Sequence, residues 1–412
     1  MRRASAQRYL TVTAIAGALL LTGGPAGAKT TDYIDLEAGL GFSSNPLLRL
    51  NARSSAFGRI SAYGLHSWTT ERGSTTLTGY IENTTYFRNY GSKQIFDLGA
   101  HTNQAVSPTV TLFGDLDFAG DFAGQLSNRL IGVPNQPVVP IAGNPLPPAT
   151  ANPDLLGFNG RQYRLNGQVG ASIRSGARGK ISLSAGAQRT WFTDGNKDAD
   201  YNSYFATMGY SQQVSERTSA GASVQFQRQD FRHGDWANIV NPTLTIHTQL
   251  SENMFADAAV GVLAIQQRTD GQKDHKVTPS FSGQLCRQDS LSRLCAHVSR
   301  DAQSALSARL VNGSGGAAIT TTAGLDYYRR LSERGTLQAS LTGTRYDSPA
   351  SLNGFRLRTT YLSAVAGYDR KIGNRIYAGI SGGARKLFQV GPDPKLDFNA
   401  NVYLRYRLGD LL

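Results

Sequence analysis

The chain has 412 residues, 17% of them charged, with 45 glycines, 15 prolines, 18 tyrosines and a formal net charge of +13. Abundant glycine and tyrosine with few charged runs fit strands and turns and argue against a helical protein. The basic residues are scattered along the sequence, which argues against nucleic acid and for an acidic partner such as lipopolysaccharide or an acidic glycan.

The chain opens with Arg2, Arg3 and Arg8, then an apolar stretch from Leu10 to Leu21, a Gly23-Gly24-Pro25 break and Ala26-Gly27-Ala28. This is the pattern of a cleaved signal peptide over residues 1–28, with the exported chain starting at Lys29. The apolar stretch is shorter than the ~20 residues a spanning helix needs, and no other long apolar run follows it. Loss of the three arginines lowers the net charge from +13 to +10.

From there apolar and polar residues alternate with a period of two, the mark of strands with one apolar and one wet face. Ile34, Leu36, Ala38, Leu40 and Phe42 share one face near the start. Phe398, Ala400, Val402, Leu404, Tyr406 and Leu408 do so at the end. Eighteen such segments are predicted at 32–43, 56–68, 74–88, 94–106, 109–121, 160–175, 180–193, 201–215, 219–231, 239–251, 254–268, 276–288, 294–304, 317–331, 335–346, 355–371, 375–388 and 396–409. Every second connection is tight, as at Glu71-Arg72-Gly73, Ser215-Glu216-Arg217 and Gly373-Asn374-Arg375. The others are mostly longer: Asp194 to Asp200, His233 to Asn238, Asp270 to Asp274, Asn312 to Gly316, Asp347 to Gly354 and Gly391 to Lys395. Short turns on one rim and long loops on the other are the rhythm of an outer-membrane barrel. The expected fold is therefore all-β, a transmembrane antiparallel up-and-down β-barrel of 16–18 strands over residues 29–412, in the outer membrane of a Gram-negative bacterium. A barrel of that size has room for an aqueous channel.

One connection is exceptional. Residues 122–159 include Pro134, Pro137, Pro140, Pro145, Pro147, Pro148 and Pro153. Proline removes donors and fixes φ, so this segment cannot join the sheet. It is expected to be a long extracellular loop, either folded into the mouth as a gate or lying over the rim.

The inward face follows from the alternation. Arg164, Asn166, Gln168 and Arg174 are assigned to the lumen, as are Arg405 and Arg407, with Arg356 and Arg358 beside them. Asp115 and Asp117 are inward carboxylates, together with Asp35, Glu37 and Asp397. A charge facing lipid at the midplane costs about 2–4 kcal/mol, so these groups belong in water or in pairs across the lumen. Arginines lining a pore favour anionic solutes or chains. Tyr86, Tyr90, Tyr204 and Tyr361 lie near strand ends, suited either to interfacial girdles or to sugar stacking.

The two cysteines, Cys286 and Cys295, flank Gln288-Asp289-Ser290-Leu291-Ser292. A hairpin centred between Ser290 and Leu291 sets them opposite each other, which suits a structural disulfide in an oxidising compartment. The six histidines are far apart, and neither G-x-S-x-G nor H-E-x-x-H occurs, so no enzymatic centre, metal site or cofactor is expected.

The run Asp35-Leu36-Glu37-Ala38-Gly39-Leu40-Gly41-Phe42-Ser43-Ser44-Asn45-Pro46 resembles the start of a porin-2-like family of outer-membrane β-barrel proteins often encoded beside exopolysaccharide genes. The specific match is confined to Gly41–Pro46. The last strand resembles the recognition signal read by the barrel-assembly machinery, though it ends in Asp410-Leu411-Leu412 and not in an aromatic residue. The resemblance implies a conduit for secreted polysaccharide, with outer-membrane lipid, lipopolysaccharide, the assembly machinery and periplasmic secretion components as partners. A general diffusion porin and an adhesin with a plugged lumen are the competing expectations.

Overall fold

A computed structural model describes residues 29–122, 161–193, 200–232, 234–269, 271–305, 316–352, 355–389 and 392–409. The predicted signal peptide and the proline-rich connection beyond Phe122 lie outside the described residues. Eighteen strands run β1 (Lys29–Ser43), β2 (Ser55–Thr70), β3 (Gly73–Tyr86), β4 (Ser92–Ala105), β5 (Val110–Phe122), β6 (Arg161–Ser175), β7 (Gly179–Phe192), β8 (Tyr201–Gln213), β9 (Thr218–Phe231), β10 (Trp236–Ser251), β11 (Met254–Thr269), β12 (Gln272–Gln288), β13 (Ser292–Ala305), β14 (Gly316–Arg330), β15 (Gly335–Leu352), β16 (Phe355–Lys371), β17 (Ile376–Phe388) and β18 (Asp397–Gly409).

Each strand pairs antiparallel with its neighbours in sequence, and β1 closes the sheet on β18 from Tyr33↔Gly409 to Ser43↔Asn399. Closure removes the exposed edge that an open sheet would present. Leu40, Ile60, Val169, Leu244, Val260, Leu341 and Val402 are among the exposed large apolar residues, and all lie on the outer face. Such a coat of exposed apolar side chains suits hydrocarbon, not water.

Aromatic side chains bound this coat. On the outer face of β4–β7, Phe96 packs on Phe118 at 5.1 Å, and Trp191 stacks on Tyr163 at 5.6 Å and on Phe118 at 6.0 Å. Near the opposite rim Trp68 packs on His66 at 5.0 Å. Amphipathic rings at both edges of an apolar band mark the two interfaces. Tyr204 is exposed on the outer face, whereas Tyr361 is buried inside against Leu48 and Leu387.

One rim consists of short turns throughout, from 71–72 to 372–375. In the turn after β12, Asp289 accepts hydrogen bonds from the backbone amides of Leu291 and Ser292 and from the Ser292 hydroxyl. These donors hold its carboxyl below the ordinary 3.8. A carboxylate depressed in the fold stabilises it above the unfolded value and ceases to do so as pH falls through the folded one. Protection of the Ser292 amide from exchange, relative to its intrinsic rate, should therefore hold at neutral pH and fall only below about pH 4; loss of protection already near neutrality would contradict this.

On the other rim two connections are shorter than their composition suggests. β12 begins at Gln272 and β15 runs on to Leu352, leaving only 270–271 and 353–354 between strands. The polar runs there read as loops. Ladder hydrogen bonds need no apolar side chains, however, so a hairpin can rise past the apolar band with polar residues on both faces.

Candidate functional site: the lumen

Two stretches of the inner wall are unlike. From β16 round through β18 and β1 to β6 the wall carries paired charges. Arg405 donates to Asp369 at 2.6 Å and lies over Tyr377, and Tyr403 also donates to Asp369. Arg407 makes a two-pronged contact with Asp35 at 2.6 and 2.7 Å and caps Tyr33. Arg59 donates to Glu37, Tyr80 and Thr84 donate to Glu82, His101 meets Asp115, and Arg164 donates to Asp117 at 3.2 Å. Asn166 and Gln168 sit directly across the strand pair from Asp117 and Asp115. Arg164 and Arg407 thus face carboxylates on adjacent strands and Arg405 one two strands away, and the positive potential that these arginines would create unpaired is largely cancelled.

Between Ser182 and Gln249 the inward positions of β7–β10 hold Ser, Thr, Gln, Asn and Gly with a few aromatic and apolar residues, one histidine, and no Asp, Glu, Lys or Arg. Ser223 meets Thr243 at 2.7 Å, and Gln227 donates to Ser203 at 3.0 Å. This four-strand stretch offers hydroxyls and amides without net charge.

Two elements fold inward at the open rim. The first is the connection 44–54. Asp397, 0% exposed, accepts from the Ser43 hydroxyl at 2.6 Å, the Asn45 amide at 2.8 Å and Arg385 at 2.5 and 3.0 Å. Asn45 ties the connection to itself by donating to the Arg49 and Lys395 carbonyls and accepting from the Arg49 amide. Leu48 then sits at φ 49°, a strained value for a side chain with a Cβ, wedged between Tyr361 and Leu387. Gly41 precedes this knot because a Cβ there would lie 2.7 Å from the Ala400 carbonyl oxygen and inside the Phe57 ring. The segment Gly41–Pro46 is thus the stem of an inward-folded loop.

The second is the top of the β13–β14 hairpin. The ladder between β12 and β13 ends at Phe281↔Arg300, although β12 continues to pair with β11 up to Gln272. Above that point 301–305 pair only with 316–320, of which Ile319 and Thr320 alone still pair with β15, and the two segments lean across the lumen. Ala302, Ala317 and Ile319 pack on Ala237, Ile239, Leu263 and Ile265 of the inner wall, and the Ala317 amide donates to Gln267. Arg300 turns in with them, reaching Thr278 and Thr321. Pro279 marks the parting. Gln288 sends its amide toward β11, so by alternation residue 279 would send one toward β13, and proline has none to send. The first fold seats on β16–β17 and the second on β10–β11, six strands apart in the ring of eighteen, so the two narrow the mouth from different sides.

Arg358 departs from its assignment. It pairs with Asp347 across β15–β16, shares the face of Leu362 and not of the buried Tyr361, and binds Asp347 at 3.0 Å on the outside of the barrel. Beyond the apolar band the outer surface meets polar headgroups, where arginine on that face carries no penalty. Arg356 pairs through its backbone with Ser351. Arg174 stands exposed on the inner face at the tight-turn rim. Cys286 and Cys295 are register partners, joined as a disulfide on the inner wall. Among the described residues no group of three or more His, Cys, Asp or Glu is placed to hold a metal.

Sequence reading missed Arg385, Asp369 and the inward hairpin. The hairpin did leave a signal. Ala317-Ala318-Ile319 is apolar on successive residues, which a strand with one wet face does not need, and residues 316–320 are all buried.

Neither a family model nor a curated protein sequence matches this chain. Among solved structures it is similar to the apoprotein form of the FrpB iron transporter from Neisseria meningitidis (8% identity, 95% of this chain and 83% of that one, TM-score 0.45). It is also similar to OccAB3 from Acinetobacter baumannii (8% identity, 92% and 100%, TM-score 0.42). A third is the siderophore receptor PirA from Pseudomonas aeruginosa (10% identity, 94% and 81%, TM-score 0.40). Overlap of this degree carries no information about cargo.

Proposed function

We propose that this barrel is an outer-membrane channel for hydroxyl-rich solutes, and that its cargo is a polysaccharide leaving the cell. The observation that carries the reading is the lumen. An uncharged wall of hydroxyls and amides faces a wall of neutralised ion pairs, inside a cylinder whose outer face is apolar. Sugars exchange their hydrogen bonds to water for equivalent ones along such a surface, so a chain can slide without a deep binding minimum. The tight-turn rim is then periplasmic, and the two inward folds narrow the extracellular mouth. Lipid and lipopolysaccharide cover the outer face, the assembly machinery reads the last strand, and no catalysis is assigned to the barrel. The resemblance of Gly41–Pro46 to barrels encoded beside exopolysaccharide genes points the same way.

Reconstitution into planar bilayers tests this. Ion conductance should appear and be interrupted by neutral oligosaccharides for times that lengthen with chain length. Equal permeation of sugars and amino acids, with no length-dependent interruption, favours a general diffusion porin. Absence of any conductance overturns the channel.

A further inference from the structure

The basic residues, scattered in sequence, leave their densest net positive charge at one rim. Within the eight tight turns and two residues on either side, there are thirteen Lys and Arg against five Asp and Glu. The same count over the nine longer connections gives thirteen against ten, spread over about twice the length of chain. The excess at the tight-turn rim is also unevenly placed. Arg174, Arg178 and Lys180 stand at the β6–β7 turn, whereas Arg329, Arg330, Arg334, Arg370, Lys371 and Arg375 stand at the β14–β15 and β16–β17 turns. These groups are eight to ten strands apart in a ring of eighteen, so they face each other across the mouth. Arg174 and Lys180 are register partners on the inner face.

Around the first group the surface is concave. Arg174, Arg178 and Lys180 line a polar recess of about 320 Å³ together with Thr109, Thr111 and Gln213. No carboxylate among the described residues pairs with these three cations, unlike the arginines deeper in the lumen. Three uncompensated cations beside hydroxyl and amide groups match a ligand that carries both carboxylates and hydroxyls. Lipid headgroups would meet outward-facing side chains, but Arg174 and Lys180 point into the mouth.

We propose that this recess is the entry site for an acidic polysaccharide, gripping uronate-type carboxylates as the chain approaches from the tight-turn side, with the opposite basic group steering it. The orientation and the direction of travel rest on the channel reading; the recess does not.

The test uses the detergent-purified barrel and oligogalacturonate as probe, with a neutral maltooligosaccharide of equal length and phosphatidylglycerol vesicles as comparisons. Oligogalacturonate should bind tightly and in a salt-sensitive way, and the neutral sugar only weakly and without dependence on salt. The triple variant R174Q/R178Q/K180Q, verified as folded by its heat-modifiable gel mobility, should bind about tenfold more weakly or worse. Equal binding by variant and parent, or equal binding of the neutral sugar, overturns the site. Loss of vesicle binding with oligogalacturonate binding unchanged shows that the cations serve lipid, and overturns it too. Binding in a barrel that carries no current leaves the site standing and removes only the channel.

Discussion

Replacing Asp397 with alanine is expected to destabilise the barrel by about 3–5 kcal/mol, the usual consequence of stranding one partner of a buried ion pair. Arg385 would remain with its charge uncompensated, at 7% side-chain exposure. The Ser43 hydroxyl and the Asn45 amide would lose their acceptor in the same step. Because those two groups anchor the connection 44–54, its hold on the mouth should loosen and conductance should rise along with the fall in stability. Denaturant unfolding of the barrel in detergent or lipid measures the first effect and single-channel recording the second. The double variant Asp397→Ala/Arg385→Leu should recover much of the lost stability, since no buried charge is then left unpaired. It should not recover the narrow mouth, since the loop anchor is still missing. A single variant as stable as the parent would show that the Asp397 knot is not what holds the loop.

Removing residues 302–319 and joining Asp301 to Thr320 through two glycines is expected to raise single-channel conductance by about twofold or more, because the bare ring of eighteen strands is wide enough for an aqueous channel. Asp301 and Thr320 are register partners, so the join does not disturb the ladder below. A gentler version keeps the hairpin and weakens its seat. Leu263 and Ile319 are 0% and 2% exposed, and either one changed to alanine should loosen the contact by about 2–4 kcal/mol. Noisier current with frequent brief openings would follow. Unchanged conductance in the deletion would show that the hairpin does not restrict flow, and the constriction would then lie with the connection 44–54.

The regular parts of this architecture were legible in the residues. Alternation over Ile34–Phe42 and Phe398–Leu408 put the apolar sets on the outer face, and a one-residue slip would have placed them in the lumen, so period and register are strongly specified. The cysteines could be placed opposite each other because a short turn fixes hairpin register. Arg358 could not be placed by pattern, since past the apolar band both faces of a strand meet polar surroundings and alternation loses its meaning.

The sequence by itself determined the strands, their number to within two, the two faces and the closed, lipid-coated cylinder, because each follows from local periodicity and the cost of unpaired backbone in hydrocarbon. Only the tertiary structure decided which charges pair, which hairpin leans inward at Pro279, how Gly41–Pro46 stems a loop locked on Asp397, and that distant basic residues meet at one mouth. Those depend on partners hundreds of residues apart, as Ser43 is from Asp397, and closing the ring is what brings them together.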